Sequence, residues 1–261
     1  MCNTLPNSRI KLLLPIPGVV LLATWQVTII VRPELDFFLG SPTGVSTAAF
    51  RLLANGQLIR DVALTSSEAV VGVVVGVGIG SCVGLGLWRI RSLAGLIQPY
   101  LSMLGAIPAF SLGPLIVFWL GTGWYSKACL VAFSTSLIAI FQAYTGATQV
   151  NQYLLKMGRA FGATEQQLFW HIVVPMSVNW VLAGVRLSIG ASLVAAFVGE
   201  LIASRGGIGY LIVVAEGMYD VNQIWVGVAS LMALALCLHT IAGWIEARYG
   251  AFVLSSEAPD Y

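Results

Sequence analysis

The residue types that could bind a nucleotide, hold a metal or form an acyl intermediate do not stand at the spacings that these activities need. A nucleotide-binding P-loop places a lysine directly after a glycine, and none of the three lysines, Lys11, Lys127 and Lys156, follows one. The two histidines, His171 and His239, are too far apart for an HExxH zinc motif. No Gly-x-Ser-x-Gly elbow for a nucleophilic serine occurs. We therefore predict no catalytic residue, no metal site and no cofactor in this chain.

Polar residues within apolar stretches are the second place where chemistry can reside. Glu200 and Arg186 fall within one apolar stretch, and an ionisable residue at membrane depth is a functional hypothesis by default. For each residue a non-functional alternative also remains open. Glu200 would then be hydrated near a helix end, and Arg186 would extend its charged group to the lipid headgroups. The predicted lining of a substrate pathway consists of Glu200 and four serines, Ser111, Ser134, Ser188 and Ser192.

The composition of the surrounding elements points to a membrane. Of the 261 residues, 58% are hydrophobic and 9% are charged, whereas a soluble domain carries about 25% charged residues. So few charges cannot cover a water-exposed surface, and the composition therefore predicts an integral membrane protein. It argues against an ordinary cytosolic enzyme and a secreted disulfide-linked domain. The net charge of +2 provides no strong positive field for binding a nucleic acid.

Six apolar stretches are long enough to span a bilayer as helices, which takes about 20 residues each. They are continuously apolar rather than alternating, which excludes the strand pattern of an outer-membrane barrel. The sequence therefore predicts an all-α polytopic membrane protein with six transmembrane helices in a single permeation domain, residues 1–261. The predicted spans are residues 12–31, 69–88, 99–120 (bent by Pro108 and Pro114), 128–148, 181–202 and 224–245.

The distribution of basic residues predicts the orientation of these spans. Short cytoplasmic loops are enriched in lysine and arginine, and the link between the second and third spans carries Arg89 and Arg91 without an acid. With the N-terminus inside, eight of the 13 basic residues lie at or near the cytoplasmic side. We therefore predict that both termini are cytoplasmic.

The second span has a face made only of glycine. Gly72, Gly76, Gly80 and Gly84 recur at every fourth position and so share one side of a helix. In a membrane such a face lets a neighbouring backbone approach closely. The face predicts either tight static packing or a sliding contact within a moving bundle.

The segment of residues 151–179 has the pattern of a helical hairpin on the cytoplasmic side. Leu154 and Phe161 stand at helical spacing, and Gly162 ends this first helix. Thr164 and Gln167 form a capping-box pattern that starts a second helix. Leu168 and Ile172 continue its apolar stripe, and Pro175 ends it. The stripe predicts packing on the bundle, burial in the lipid interface or docking into a groove of a partner.

Beyond these physical patterns, the spacing of residues within the hairpin is similar to a known sequence motif. Gly162, nine residues, Ile172, one residue, Val174 and Pro175 resemble the EAA loop of permease subunits from binding-protein-dependent ABC importers. Four other segments are similar to the nitrate, sulfonate, taurine and bicarbonate branch of that family, so the resemblance covers nearly the whole chain. They are Ser41-Pro42-Thr43-Gly44-Val45, Gly184-Val185-Arg186-Leu187, residues 195–200 and Arg205-Gly206-Gly207-Ile208-Gly209-Tyr210.

This resemblance implies a type I importer fold and a set of partners. A second, identical permease copy would enclose the pathway together with this chain. Two cytoplasmic ATPase subunits would bind ATP and Mg²⁺, and an extracytoplasmic binding protein would deliver the substrate. The chain itself would be a non-enzymatic, multi-pass protein of the bacterial inner membrane, surrounded by lipid. The residues expected to couple it to the ATPase are Lys156, Phe161, Gly162, Ala163, Leu168, Ile172 and Pro175.

Five positions depart from the family pattern. Lys156, Met157 and Gly158 replace the Glu-Ala-Ala triplet, so that a basic residue stands where the family has a glutamate. Asn179 replaces a proline, and Glu68 replaces an arginine at the start of the second span. A partner ATPase with a compensating acid would suit Lys156.

The resemblance predicts an ATP-driven importer of a small anion or organic solute similar to a sulfonate, taurine or nitrate, working by alternating access. Bicarbonate or a pyrimidine precursor of thiamine is an alternative substrate. A self-sufficient channel or secondary transporter is the alternative function, which the glycine face and the intramembrane charges would also fit. A passive membrane scaffold is a further alternative.

Overall fold

The computed structural model describes residues 16–254. Throughout this range the chain forms helices joined by short links, with no strand. One π-helix (Phe169–Val173) and two 3₁₀ turns (Pro33–Leu35 and Ala109–Leu112) accompany the α-helices. The α-helices are α1 Ile16–Val31, α2 Asp36–Leu39, α3 Pro42–Ala54, α4 Gln57–Arg89, α5 Arg91–Ala106, α6 Gly113–Leu120, α7 Trp124–Thr148, α8 Gln152–Ala160, α9 Glu165–Leu168, α10 Val174–Ala203, α11 Ile208–Gly217 and α12 Val221–Leu254.

The chain divides into two compact units. The smaller unit comprises residues up to 59 together with residues 211–229. The larger comprises residues 60–210 and the segment from residue 230 onward. The hairpin and every predicted pathway residue belong to the larger unit.

Within the described range, four helical segments are long and apolar enough to cross a membrane: Gln57–Arg89, Trp124–Thr148, Glu165–Ala203 and Val221–Ala247. Ile16–Val31 and Pro33–Leu39 give a fifth span if the two, bent by 113°, are counted as one. These segments contain the predicted spans 69–88, 128–148, 181–202 and 224–245. The first predicted span begins at residue 12, so its first four residues lie outside the described range.

The prediction of one continuous bent span over residues 99–120 is wrong. Helix α5 ends at Ala106, and Ile107 is extended, with φ −77° and ψ 124°. Pro108 explains this break, because the ring of a proline disfavours helical geometry in the residue before it. Pro114 does not bend a helix but lies in the first turn of α6, where a missing N–H is tolerated.

In the larger unit, the glycine face of α4 packs against α7. Gly72, Gly76, Gly80 and Gly84 are all buried. A Cβ atom at Gly76 would collide with the Thr135 side chain and the Ala132 carbonyl oxygen of α7. One at Gly84 would collide with the Ile140 carbonyl oxygen. The face therefore makes the close backbone contact that both alternatives, static packing and a sliding contact, require.

The smaller unit is held together by side chains that bind the backbone. The Ser41 side chain accepts a hydrogen bond from Gly44 N and thereby caps α3. Ser41 N donates to Asn222 Oδ1 over 2.9 Å. Trp25 and Trp225 pack with their ring centroids 5.3 Å apart. These contacts tie α1, the start of α3 and α12 into one unit.

We predict opposite effects for the same substitution at two glycines of α4. Gly76→Ala should lower the stability by about 1–3 kcal/mol, because the added methyl group overpacks the contact with α7. Gly78 lies on the exposed side of α4, with no atom within 4 Å of an added Cβ. Gly78→Ala should leave the stability unchanged or raise it, since alanine favours the helix over glycine.

Thermal unfolding of both purified variants in detergent micelles measures this difference. Equal melting temperatures for Gly76→Ala and Gly78→Ala would contradict the tight packing of α4 on α7.

Candidate functional site

The hairpin begins with α8, which the sequence delimits at both ends. Asn151 Oδ1 accepts a hydrogen bond from Tyr153 N over 2.9 Å and caps the first turn. At the other end, Gly162 has φ +81°, a left-handed conformation that glycine adopts without strain. Gly162 N donates to Arg159 O over 2.9 Å, and Ala163 N donates to Gly158 O over 3.0 Å. These two bonds form a Schellman motif, so Gly162 ends the helix as predicted.

The second arm of the hairpin begins with the predicted capping box. Thr164 Oγ1 accepts from Gln167 N over 3.3 Å, and Gln167 Oε1 accepts from Thr164 N over 2.8 Å. Arg159 joins the two arms through a bidentate ion pair with Glu165, with Nε–Oε1 2.7 Å. The hydrogen bond and the negative charge of Glu165 raise the pKa of Arg159. Both arms are therefore fixed relative to each other around Gly162.

The inner side of the hairpin packs on the ends of two long helices. Phe169 stacks on Trp88 at the end of α4, with a centroid distance of 5.9 Å and an interplanar angle of 29°. Leu155 and Leu168 are almost completely buried, at 0% and 1% exposure. We call this cluster the hairpin core; its buried members are Trp88, Ala147, Val150, Leu155, Leu168, Phe169 and Val173. Through this core, the hairpin is firmly attached to α4 and to the end of α7.

The outer side of α8 presents apolar and basic side chains to the surroundings. Tyr153 and Met157 are one helical turn apart and exposed, and Lys156 lies exposed beside them. Phe161, at the turn, is 83% exposed. We call these four residues the outer face. Next to it, a groove of about 410 Å³ is lined by Phe161 and Gly162 and by Gly158, Ala163, Gln167, Leu168, His171 and Ile172. An exposed apolar surface beside a groove is suited to binding a partner.

The predicted apolar stripe of the hairpin is corrected in two respects. The buried position of α8 is Leu155, whereas Leu154 is only half-buried. Leu168 faces the hairpin core and Phe161 faces outward, so these two predicted coupling residues do not share one face. The stripe therefore divides into an inner part that packs on the bundle and an outer part that is available for docking.

Pro175 does not end the second arm, contrary to the prediction. The chain stays helical from Glu165 to Ala203. Pro175 lies in the first turn of α10, directly after the π-helix Phe169–Val173. Val174 N donates to Phe169 O, and this wider turn accommodates a residue that lacks an N–H. The second arm of the hairpin and α10 therefore form one continuous helix.

Among the other predicted coupling residues, Lys156, Gly162 and Pro175 are exposed, while Ala163 and Ile172 are half-buried against the hairpin core. Sequence reasoning missed Trp88, Leu155 and Phe169. The aromatic pair shows no sequence signal, because Trp88 and Phe169 are 81 positions apart.

A second site lies near the other end of α10, around Glu200. Glu200 is 1% exposed, so the alternative that it is hydrated is wrong for this structure. Its Oε1 accepts a hydrogen bond from Thr65 Oγ1 over 2.6 Å, and its Oε2 accepts from Gly209 N over 2.6 Å. Thr65 Oγ1 in turn accepts from Ile208 N over 2.9 Å, and Asp61 Oδ1 accepts from Gly207 N over 2.9 Å. Three successive N–H groups at the start of α11 are thereby satisfied, as a helix N-terminus requires.

The glycines of the Arg205–Tyr210 motif make room for this carboxylate. Gly207 has φ +102°, and a Cβ atom there would collide with the Glu200 carboxyl group. A Cβ at Gly209 would lie 2.8 Å from Glu200 Cβ. The motif therefore has a structural explanation: it lets the backbone approach a buried glutamate.

The remaining pathway candidates fall in different environments. Ser188 and Ser192 are fully buried on the side of α10 that packs along α7, and Ser192 Oγ donates to Ile189 O over 2.7 Å. Ser134 is half-buried, and Ser111 is exposed. Arg186 pairs with Glu246, Nη2–Oε2 2.6 Å. The structure therefore buries three of the five candidates, and a role in a pathway stays a prediction for all of them.

The architecture is that of a multi-pass α-helical membrane protein with an exposed helical hairpin. The family described as "Binding-protein-dependent transport system inner membrane component" matches residues 72–251, and the chain belongs to this family. It is thus an ABC importer permease subunit in the inner membrane. In such systems the ATPase is a separate subunit, and a binding protein supplies the substrate.

Two curated relatives and one solved structure agree with this assignment. The riboflavin transport system permease protein RibX of Chloroflexus aurantiacus is 31% identical over 89% of this chain and 87% of its own length. The putative aliphatic sulfonates transport permease protein SsuC of Escherichia coli is 30% identical over 80% of this chain and 79% of its own. A structure of the MetNI methionine ABC transporter superposes with a TM-score of 0.66 at 17% identity, covering 74% of this chain and 96% of its own. This likeness shows the type I permease fold.

Valine at Gly162 should uncouple transport from ATP hydrolysis without preventing insertion of the chain into the membrane. The left-handed backbone costs a residue with a Cβ about 1–2 kcal/mol, so that the Schellman turn opens and its two arms change their angle. Gly121 is the matched control, because it also has positive φ (+78°) and open space around it but lies outside the hairpin. We expect the ATP hydrolysis stimulated by substrate to fall in Gly162→Val and to persist in Gly121→Val.

Purified complexes reconstituted in lipid provide the measurement. Normal stimulation in Gly162→Val, or an equal loss in both variants, would contradict a coupling role for the hairpin turn.

Proposed function

We propose that this permease imports a small organic anion of the sulfonate type, and that two identical copies form the pathway. The observation that supports ATP-driven import is the hairpin, whose inner side is fixed to α4 and whose outer face is exposed. Two cytoplasmic ATPase subunits, each with ATP and Mg²⁺, would bind this face. A binding protein would deliver the anion at the opposite side of the membrane.

The mechanism that we infer is alternating access driven through the hairpin. Closure of the ATPase pair on ATP displaces the outer face, and the hairpin core passes this displacement to α4 and α7. Because α10 continues the second arm without a break, it moves with the hairpin. The displacement shifts the population between two arrangements of the bundle, provided that the ATP-bound partner binds the two with different affinity.

The charges of α7 and α10 indicate where substrate is selected. Lys127, the basic residue of α7, donates hydrogen bonds to the carbonyl oxygens of Thr122 and Gly123. Arg186, the basic residue of α10, pairs with Glu246. Both cations are therefore engaged within the protein, and these two helices hold no uncommitted cation for an anion. This supports selection of the anion by the binding protein before it reaches the pathway.

The sulfonate proposal rests on the similarity to SsuC, and the similarity to RibX favours a second candidate, a flavin-like heteroaromatic compound. The complete transporter with its own binding protein distinguishes the two. We expect taurine or an alkanesulfonate to stimulate ATP hydrolysis and uptake into proteoliposomes, and riboflavin to have no effect. Stimulation by riboflavin alone would overturn the sulfonate proposal. Uptake without ATP would favour the alternative of a channel or secondary transporter.

The exposure of Lys156 on the outer face leads to a prediction about docking of the ATPase. A lysine that meets an acid of the ATPase should not tolerate the opposite charge, since like charges at an interface can cost several kcal/mol. We expect Lys156→Glu to reduce recovery of the ATPase with the permease, and a basic residue in place of the partner's acid to restore part of it. An exposed lysine–acid pair at the rim contributes only about 0–1 kcal/mol. The size of the loss in ATPase recovery therefore distinguishes a buried pair from an exposed one.

Phe161→Ala tests the apolar part of the outer face in the same experiment. Phe161 is exposed and outside the hairpin core, so its truncation should lower recovery of the ATPase without lowering the melting temperature of the permease. Leu168→Ala is the matched comparison, because it removes a buried side chain and should lower the melting temperature. Normal recovery with Lys156→Glu would discard the lysine–acid pair, and normal recovery with Phe161→Ala would discard the apolar contact.

A further inference from the structure

The chain between α4 and α7 crosses the membrane, although neither of its two helices is long enough to do so alone. The hairpin core contains Trp88 near the end of α4 and Ala147 near the end of α7, so both of these ends lie on the hairpin side. α5 and α6 must therefore lead from that side to the start of α7, at Trp124, on the other side. α5 has 16 residues and α6 has 8, about 24 and 12 Å at 1.5 Å per residue, whereas the hydrocarbon core is about 30 Å thick.

Contacts with α7 place the break between α5 and α6 at membrane depth. A Cβ atom added at Gly105, near the end of α5, would lie 3.4 Å from Cε2 of Phe141. One added at Gly113, at the start of α6, would lie 3.8 Å from Cδ2 of Leu130. Phe141 and Leu130 each lie about 10 Å from an end of α7, at 1.5 Å per residue. The break, residues 107–112, is therefore level with the middle of α7.

The backbone at this break is not paired as it would be in a continuous α-helix. Ile107 is extended, and its N–H donates to Leu104 O over 3.2 Å. Pro108 has no N–H to donate, and the bond from Ser111 N to Pro108 O over 2.8 Å closes a single turn. The last carbonyl groups of α5 lack an intrahelical partner, as at every helix end. Such groups are costly in hydrocarbon, where no water can satisfy them.

Protein covers only part of the break. Leu112 and Ile116 pack in an apolar cluster with residues of α7 and α10. By contrast, Ile107 is 44% exposed, and Pro108 and Ser111 are exposed beside it. Irregular backbone at membrane depth occurs only where protein buries it or where it lines a water-filled cavity. Lipid is therefore excluded as the cover of this open side.

We propose that the break between α5 and α6 lines the substrate pathway and that the water of this pathway covers its open side. Ser111 presents an exposed hydroxyl group beside the carbonyl groups at the end of α5, so the open side offers hydrogen bonds to water and to a passing hydrophilic solute. The proposal rests on the importer family to which the chain belongs and on the alternating access proposed above. It does not depend on the choice of a sulfonate as the substrate.

Cysteine accessibility in the complete transporter, reconstituted in lipid, tests whether water reaches the break. The probe is a methanethiosulfonate with a charged group, which does not enter lipid and reacts with the thiolate that forms in water. We expect Ser111→Cys and Ile107→Cys to be modified about tenfold or more faster than Gly78→Cys, because only the break requires water at this depth. The background for all variants has serine in place of the native cysteines, Cys2, Cys82, Cys129 and Cys237.

Gly78 is the matched control because it is exposed at the same depth on a continuous helix. No atom lies within 4 Å of a Cβ added there, and a Cβ at Gly76 or Gly80, on either side of it, would collide with the middle of α7. Gln166→Cys, on the exposed hairpin, shows that the probe reacts with a thiol in water.

The modification rate should also depend on the state of the transporter. Alternating access changes the population of the two arrangements of the bundle, so the rate at Ser111→Cys should differ between the nucleotide-free transporter and one trapped with ATP and vanadate. Absence of modification at both break variants in both states would overturn the proposal in favour of burial by the second permease copy. Equal rates in the two states would indicate a static crevice, and equally fast modification of Gly78→Cys would separate access from the break; either result would contradict the proposal. Because no substrate is added, failure of the sulfonate assay would leave these outcomes unchanged.

Discussion

The close approach of α4 to α7 is the constraint on which the larger unit depends. Four glycines at every fourth position of α4 allow the carbonyl oxygens of α7 to lie where side chains would otherwise be. This contact fixes both ends of α4 at once. Thr65 near one end donates a hydrogen bond to Glu200, while Trp88 at the other end stacks on Phe169 of the hairpin. Thr65 and Trp88 are separated by about 35 Å along the helix, at 1.5 Å per residue, so the packing of α4 on α7 connects two distant sites.

The hairpin and the site around Glu200 both satisfy backbone N–H groups at helix ends, but with different consequences for the fold. In the hairpin, a Schellman turn and a capping box satisfy the backbone locally, which leaves the outer face of α8 available to a partner. Around Glu200, the N–H groups at the start of α11 are satisfied instead by side chains from α4 and α10. The first arrangement gives an independent docking element. The second makes three helices depend on one another, because none of them can move without leaving a buried polar group unpaired.

Local sequence signals were sufficient to predict individual turns and caps, but not which elements contact each other in the fold. Gly162, Thr164 and Gln167 act within a few residues of one another, so their spacing predicted the turn and the cap that the structure shows. The glycine face of α4 predicted a close neighbour without identifying it as α7. Trp88 and Phe169, or Thr65 and Glu200, come together only through the tertiary fold, which no periodicity records. Pro175 misled the prediction because a proline that ends most helices is tolerated after a π-turn, and that turn has no sequence signature of its own.

The uninterrupted rod from Glu165 to Ala203 also restricts how this protein can evolve. One inserted residue between the hairpin and the middle of α10 would rotate the second arm by about 100° relative to the buried side of that helix, since an α-helix has 3.6 residues per turn. Leu168 would then leave the hairpin core, or Ser188 and Ser192 would turn away from α7. Insertions and deletions in this stretch should therefore be excluded by selection.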